Sequence, residues 1–235
     1  VPTDHRREIL RLAFPAFLAL VAEPMFLLAD SAIVGYLGTA PLAGLGVASA
    51  VLLTAVNVFV FLAYGTTSVV ARRLGAGDQR GALGAGIDGL WLALLLGVLT
   101  SAVVALLAGP MVAWFGAGEA VSAQAETYLR ISAYGIPPML VVLAATGVLR
   151  GLQDTRTPLV AAVAGFTANA ALSFVLVHPA GMGIAGAAWG TVIAQTGMAL
   201  GLVWVVVGGG GPPAGAHPVA AGGAAAHHLV CRGAG

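Results

Sequence analysis

Two carboxylates stand in an otherwise oily stretch near the start of the chain, Glu23 and Asp30, the second within Leu28-Ala29-Asp30-Ser31. A carboxylate in hydrocarbon costs a few kcal/mol even on lenient insertion scales, so each must face protein or water and is a candidate for function. Seven residues are two helical turns, which puts both acids on nearly one face, about 10 Å apart along the axis. Burial favours the neutral acid, and access to water or a cation favours the anion. Asp30 therefore has the chemistry of a proton or cation switch. Glu23 is suited to attracting a positive charge, and Pro24 beside it removes a backbone donor and offers a hinge, as Pro15 does earlier. The alternative for either acid is a hydrogen bond between helices that serves packing alone.

Further polar side chains interrupt later apolar stretches: Asn57, Tyr128, Thr146, Asn169, Ser173, Thr191 and Gln195. Asn169 and Ser173 are four residues apart and share a helix face. Any one of these can be an interhelical hydrogen bond worth about 1 kcal/mol, so the set says more than its members. The small residues of Gly186-Ala187-Ala188-Trp189-Gly190 and Gly197-Met198-Ala199-Leu200-Gly201 predict close helix packing rather than chemistry.

The elements that must position these groups follow from composition. Of 235 residues 59% are hydrophobic and 8% charged, with a mean hydropathy of +0.98. Soluble domains carry about 25% charged residues, so the lipid bilayer is the expected solvent. Apolar runs over residues 12–36, 43–71, 83–107, 123–149, 158–177 and 184–207 are each near or above the roughly 20 residues that cross a hydrocarbon core. The expectation is an all-α, polytopic membrane protein, a bundle of six transmembrane helices over residues 1–207.

Arg6, Arg7 and Arg11 precede the first run, Arg72, Arg73 and Arg80 lie between the second and third, and Arg150 and Arg156 between the fourth and fifth. The opposite connections lack arginine and lysine, apart from Arg130, which predicts cytoplasmic ends for the bundle. The first run is too long and too acidic for a cleaved signal peptide. Residues 208–235, rich in Gly, Ala, Pro and His, form an expected disordered tail. Its His217, His227 and His228 lack acidic or cysteine partners at useful spacing, so no metal is expected, and the lone Cys231 supports no disulfide framework. A net charge of +1 gives no footprint for nucleic acid. No cluster of acids and no nucleophile with its base suggests an enzyme.

Three stretches resemble the multidrug and toxic compound extrusion (MATE) family, in particular its DinF-like branch. They are Leu28-Ala29-Asp30-Ser31-Ala32-Ile33-Val34-Gly35-Tyr36-Leu37-Gly38, Ala71-Arg72-Arg73-Leu74-Gly75-Ala76-Gly77-Asp78, and Gly147-Val148-Leu149-Arg150-Gly151-Leu152-Gln153-Asp154-Thr155-Arg156-Thr157-Pro158. Ala168-Asn169-Ala170-Ala171-Leu172-Ser173 and Gly183-Ile184-Ala185-Gly186-Ala187-Ala188-Trp189-Gly190 are similar to the family's fifth and sixth helices.

The resemblance covers residues 5–207 and implies the first of two six-helix lobes of an antiporter in the plasma membrane, one that exchanges protons or sodium for cationic and amphipathic compounds. It implies that Asp30 and Asn169 belong to the cation site of that lobe, with Tyr128, Thr146 and Thr191 at neighbouring positions. Glu23, Asn57 and Gln195 are placed along the substrate cavity, and Pro24 at the hinge. Many members carry a second carboxylate where this chain has Ser173, which favours H+ over Na+ as coupling ion. Alternating access requires a second lobe as partner. A non-transporting fragment is the alternative, as is a lipid-precursor flippase, although a flippase would line its cavity with basic residues that these spans lack.

Overall fold

The computed structural model describes residues 28–208, and these are helices joined by short turns. In chain order they are α1, described over residues 28–35, α2 (Thr39–Val58), α3 (Val60–Gly75), α4 (Gln79–Ala113), α5 (Glu119–Ala133), α6 (Ile136–Gly151), α7 (Arg156–Val177) and α8 (Ile184–Val207). No strand occurs among the described residues. Four helical stretches are long and apolar enough to cross a membrane, five if the bent pair α5–α6 forms one span. Five of the six expected spans are thus accounted for. Most of the first, with Glu23 and Pro24, lies outside the described residues, as does the tail from residue 209 onward.

Large side chains point away from the bundle, including Trp91, Leu95, Leu99, Leu106, Leu200 and Trp204, while the interior holds Ala48, Ala82, Ala93, Ala144, Ala145 and Ala188. Lipid tails are as apolar as leucine, so helices in a bilayer associate through close backbone approach at small residues. A Cβ on Gly147 would collide with Thr66 Oγ1 and the Ala63 carbonyl. α3 and α6 meet there, and Thr67 Oγ1 donates to the Gly147 carbonyl at 2.9 Å. The two glycine-rich segments of α8 part company: Gly186 and Gly190 lie against the α7 backbone, whereas a Cβ added to Gly197 or Gly201 would meet nothing within 4 Å. Among the described residues, only the first of them is a packing segment.

Two expected helices are not continuous. The 123–149 run breaks at Tyr134 and Gly135, and its halves meet at a 53° bend. Pro137 and Pro138 open α6 and bring no N–H to the Ala133 and Tyr134 carbonyls, so the α5 ladder stops there. The 43–71 run is interrupted at Phe59 (φ −99°, ψ 9°), where no proline or glycine stands, yet still passes as one span. α2 packs on α5 and α3 on α6, so the two broken helices lie side by side.

The turns after α3 and α6 repeat the same hydrogen bonds. Ala76, Gly77 and Asp78 donate their amides to the carbonyls of Arg72, Leu74 and Arg73, and Leu152, Gln153 and Asp154 donate theirs to Val148, Arg150 and Leu149. Each turn uses one left-handed residue, Gly77 (φ 80°) and Gln153 (φ 64°), followed by an aspartate that caps the next helix. Asp78 Oδ1 accepts from Gly81 N at 2.9 Å, and Asp154 Oδ1 accepts from Arg156 N and Thr157 N at 3.0 Å. Since Thr66 and Thr67 of α3 reach Ala144 and Gly147 of α6 in the same order, the two helices run parallel and their arginine-bearing turns share one end of the bundle. Arg130, the exception in the charge pattern, pairs with Glu126 on α5 at 2.6 Å.

Asp154 is itself buried, and its cap satisfies two amides of the first turn of α7. Asp154→Ala is expected to cost about 1–2 kcal/mol, the upper range for a lost cap. A thermal melt in detergent reads this directly, and an unshifted midpoint counts against the role.

Candidate functional site

Asp30 is carried inward by α1 and is 7% exposed. Its carboxyl meets the hydroxyls of Tyr128 on α5 and Ser173 on α7. Tyr128, also buried, faces Thr191 of α8 and Ser132 one turn along its own helix. From there the bonds have a direction: Asn169 Nδ2 donates to Thr191 Oγ1 at 3.0 Å, Ser173 Oγ donates to Asn169 Oδ1 at 3.1 Å, and Thr191 Oγ1 donates to the Ala187 carbonyl at 3.1 Å. Four helices therefore converge on one carboxyl, and the other groups around it are hydroxyls and an amide. Among the described residues, Asp30 Oδ1 and Ser132 Oγ are buried without a hydrogen-bond partner. Buried polar atoms are nearly always paired, so both mark places where a proton, water or ligand belongs.

Local sequence explains the placement. Asn169 and Ser173 are one turn apart on α7, and the small residues of α8 let the two helices touch. A Cβ on Gly190 would stand 2.7 Å from Ser173 Oγ, and one on Gly186 2.7 Å from the Leu176 carbonyl. Tyr128 and Ser132 are likewise one turn apart on α5.

Of the residues singled out in the sequence, Asp30, Tyr128, Asn169, Ser173 and Thr191 come together. Thr146 does not join them: it is half-buried on α6, in the stretch whose Ala144 and Gly147 carbonyls accept from α3. Asn57, expected from the sequence to be a buried polar group, is instead exposed in the last turn of α2, on a face that α2 turns away from the interior. Gln195 is half-buried and faces a cavity of about 80 Å³ that Tyr128, Ser132, Gly135 and Thr191 also line. A larger cavity of about 440 Å³ between α4, α6 and α8 is walled by Leu90, Trp91, Pro137, Val141 and Val203. It is apolar and stands apart from the Asp30 cluster.

Two groups escape a reading of the sequence. Ser132 could be found from its spacing to Tyr128. His178 has no such signal: it follows α7 in a turn, stacks on Phe174 at 4.8 Å, lies 5.4 Å from the Tyr36 ring, and has a buried, unpartnered Nδ1.

Comparisons with known proteins agree with this architecture. The family model described as MatE matches residues 15–175. Protein DETOXIFICATION 44, chloroplastic, of Arabidopsis thaliana is 39% identical over 211 residues, which are 84% of this chain and 40% of that protein. DNA damage-inducible protein F of Escherichia coli is 31% identical over 82% of this chain and 42% of its own length. A solved outward-facing conformation of a multidrug resistance MATE family transporter of the MOP superfamily superposes with a TM-score of 0.78 at 28% identity, covering 84% of this chain and 44% of that one. The chain thus spans less than half the length of these relatives. Matched over most of its helices by the family model and carrying the same fold, the chain belongs to the MatE family of membrane proteins.

Proposed function

We propose that this chain forms one six-helix lobe of a proton-coupled multidrug antiporter of the plasma membrane, exchanging H+ for organic cations at or beside Asp30. The observation that supports it most is the company that residue keeps. Its carboxyl is addressed by the hydroxyls of Tyr128 and Ser173, and Ser173 and Thr191 are tied to Asn169. All of these groups are neutral. An ionised carboxylate compensated by neutral groups alone is costly in a low-dielectric interior. A neutral carboxyl fits better, since it can accept from Tyr128 and donate to the free lone pair of Ser173. Loss of the proton then calls for a positive charge in its place, and an organic cation can supply one.

In this reading Asp30 holds the proton, Tyr128 and Ser173 address the carboxyl, and Asn169 and Thr191 orient Ser173 and Tyr128. Gln195, Asn57 and Glu23 are placed along the route of the drug, with Pro24 as the hinge of the first helix. Thr146 has a packing role on α6. Sodium is the second choice of ion in this reading, because Ser173 brings no charge and the cluster offers a cation one carboxylate among neutral oxygens. Rocking requires a second body, supplied by the remainder of a longer chain or by another copy. The arginine-bearing turns are assigned to the cytoplasmic face.

Vesicles carrying the protein test the coupling ion. Ethidium efflux is expected to stop when a protonophore collapses the pH gradient and to be unmoved by an imposed sodium gradient. Efflux that follows sodium and ignores the protonophore rejects the assignment.

A further inference from the structure

We propose that the cavity at the break between α5 and α6 is a hydrated proton-entry site, from which protons reach Asp30 through the hydroxyl of Tyr128. This rests on the reading of Asp30 as the group that exchanges a proton. At about 80 Å³ the cavity holds roughly two or three waters at ~30 Å³ each. Its wall joins Tyr128, Ser132, Thr191 and Gln195 to the apolar Leu52, Val56, Ile136 and Met139. Ser132 is 6% exposed and lines this space beside Tyr128, and among the described residues no group stands within hydrogen-bond geometry of its Oγ. A buried hydroxyl left so is costly unless water meets it. Tyr128, Thr191 and Gln195 on the same wall are the further polar side chains that a water beside Ser132 could meet.

Tyr128 belongs to both sides of the wall. It lines the cavity, and its hydroxyl also faces Asp30. The neighbouring elements bring no competing acid or base among the described residues: α8 presents Thr191 and Gln195, α7 presents Asn169 and Ser173, and α2 presents Leu52 and Val56. Glu126 and Arg130 of α5 pair with each other on the exposed side.

The step is a relay. A hydronium ion in the cavity gives a proton to the phenol oxygen of Tyr128 while the phenol's own proton passes to a carboxylate oxygen of Asp30. One O–H bond breaks and one forms at Tyr128, which ends unchanged. Water remains in the cavity, and Asp30 becomes neutral.

The experiment is time-resolved infrared spectroscopy of the whole protein in lipid after a light-triggered release of protons. The protonated carboxyl band of Asp30 is identified by its loss in Asp30→Asn. Tyr128→Phe removes only the relaying oxygen, and Ser132→Val removes the cavity's buried hydroxyl. Both are expected to slow growth of the band by about 100-fold or more, the lower end of the range for losing a positioned proton carrier, while its final amplitude at low pH stays as in the wild type. That amplitude also shows that each variant is folded. Growth at the wild-type rate in either variant overturns the relay and leaves the proton reading of Asp30 standing. A wild-type protein with no pH-dependent carboxyl band overturns that reading itself.

Discussion

Efflux driven by a pH gradient is expected to fall by roughly 100-fold or more when Asp30 becomes asparagine, as for the removal of a positioned proton carrier. The amide copies the neutral acid: it can accept from Tyr128 and donate to Ser173, so the four-helix cluster keeps its hydrogen bonds and the fold its stability. What it cannot do is release a proton or become an anion that attracts a cation. The loss should therefore appear in coupled transport and not in the melting temperature. Ethidium efflux from vesicles under an imposed pH gradient, with a melt of the same preparation, separates the two. Efflux at the wild-type rate in Asp30→Asn ends the coupling mechanism.

Gly190→Ala is expected to be nearly as damaging to transport by a different route. The added methyl would sit 2.7 Å from Ser173 Oγ and 2.8 Å from Ser173 N. One of those atoms is backbone, so no rotamer change relieves the contact, and α7 must move off α8. Overpacking of this kind costs about 1–3 kcal/mol, and the shift carries Ser173 away from Asn169 and Asp30. Gly197→Ala on the same helix is the control, because none of the described residues would lie within 4 Å of its added methyl. There the helix gains up to about 1 kcal/mol from the better helix former. The two variants should melt on opposite sides of the wild type, and only Gly190→Ala should lose efflux. Equal behaviour of the pair removes the case for close packing as the device that seats Ser173.

Much of this architecture is legible in the chain because a bilayer makes hydropathy nearly sufficient. The ends of α7 and α8 coincide with apolar runs, and the arginines collect in two turns that the bundle places at one end. The helix breaks are harder to read. The run Gly135-Ile136-Pro137-Pro138 does carry its signal, which the apolar length of residues 123–149 overrides, whereas the interruption at Phe59 has no local marker and depends on tertiary packing. In the site, the pairing of Asn169 with Ser173 follows from helical spacing. That Tyr128 and Thr191 meet Asp30 is suggested by family likeness and not by any pattern within the chain. Exposure of Asn57 and the absence of Thr146 from the cluster depend on the rotation of α2 and α6, which a helix apolar on every side does not reveal.

The interruptions at Phe59 and Gly135 lie beside each other, with α2 packed on α5 above them and α3 on α6 below. Such a bundle has a waist. The unbroken α4 and α8 each pack on both α5 and α6, so they splint that level, and Tyr128 and Ser132 belong to the upper storey. The lobe is in this sense a two-tiered column held upright by two continuous struts.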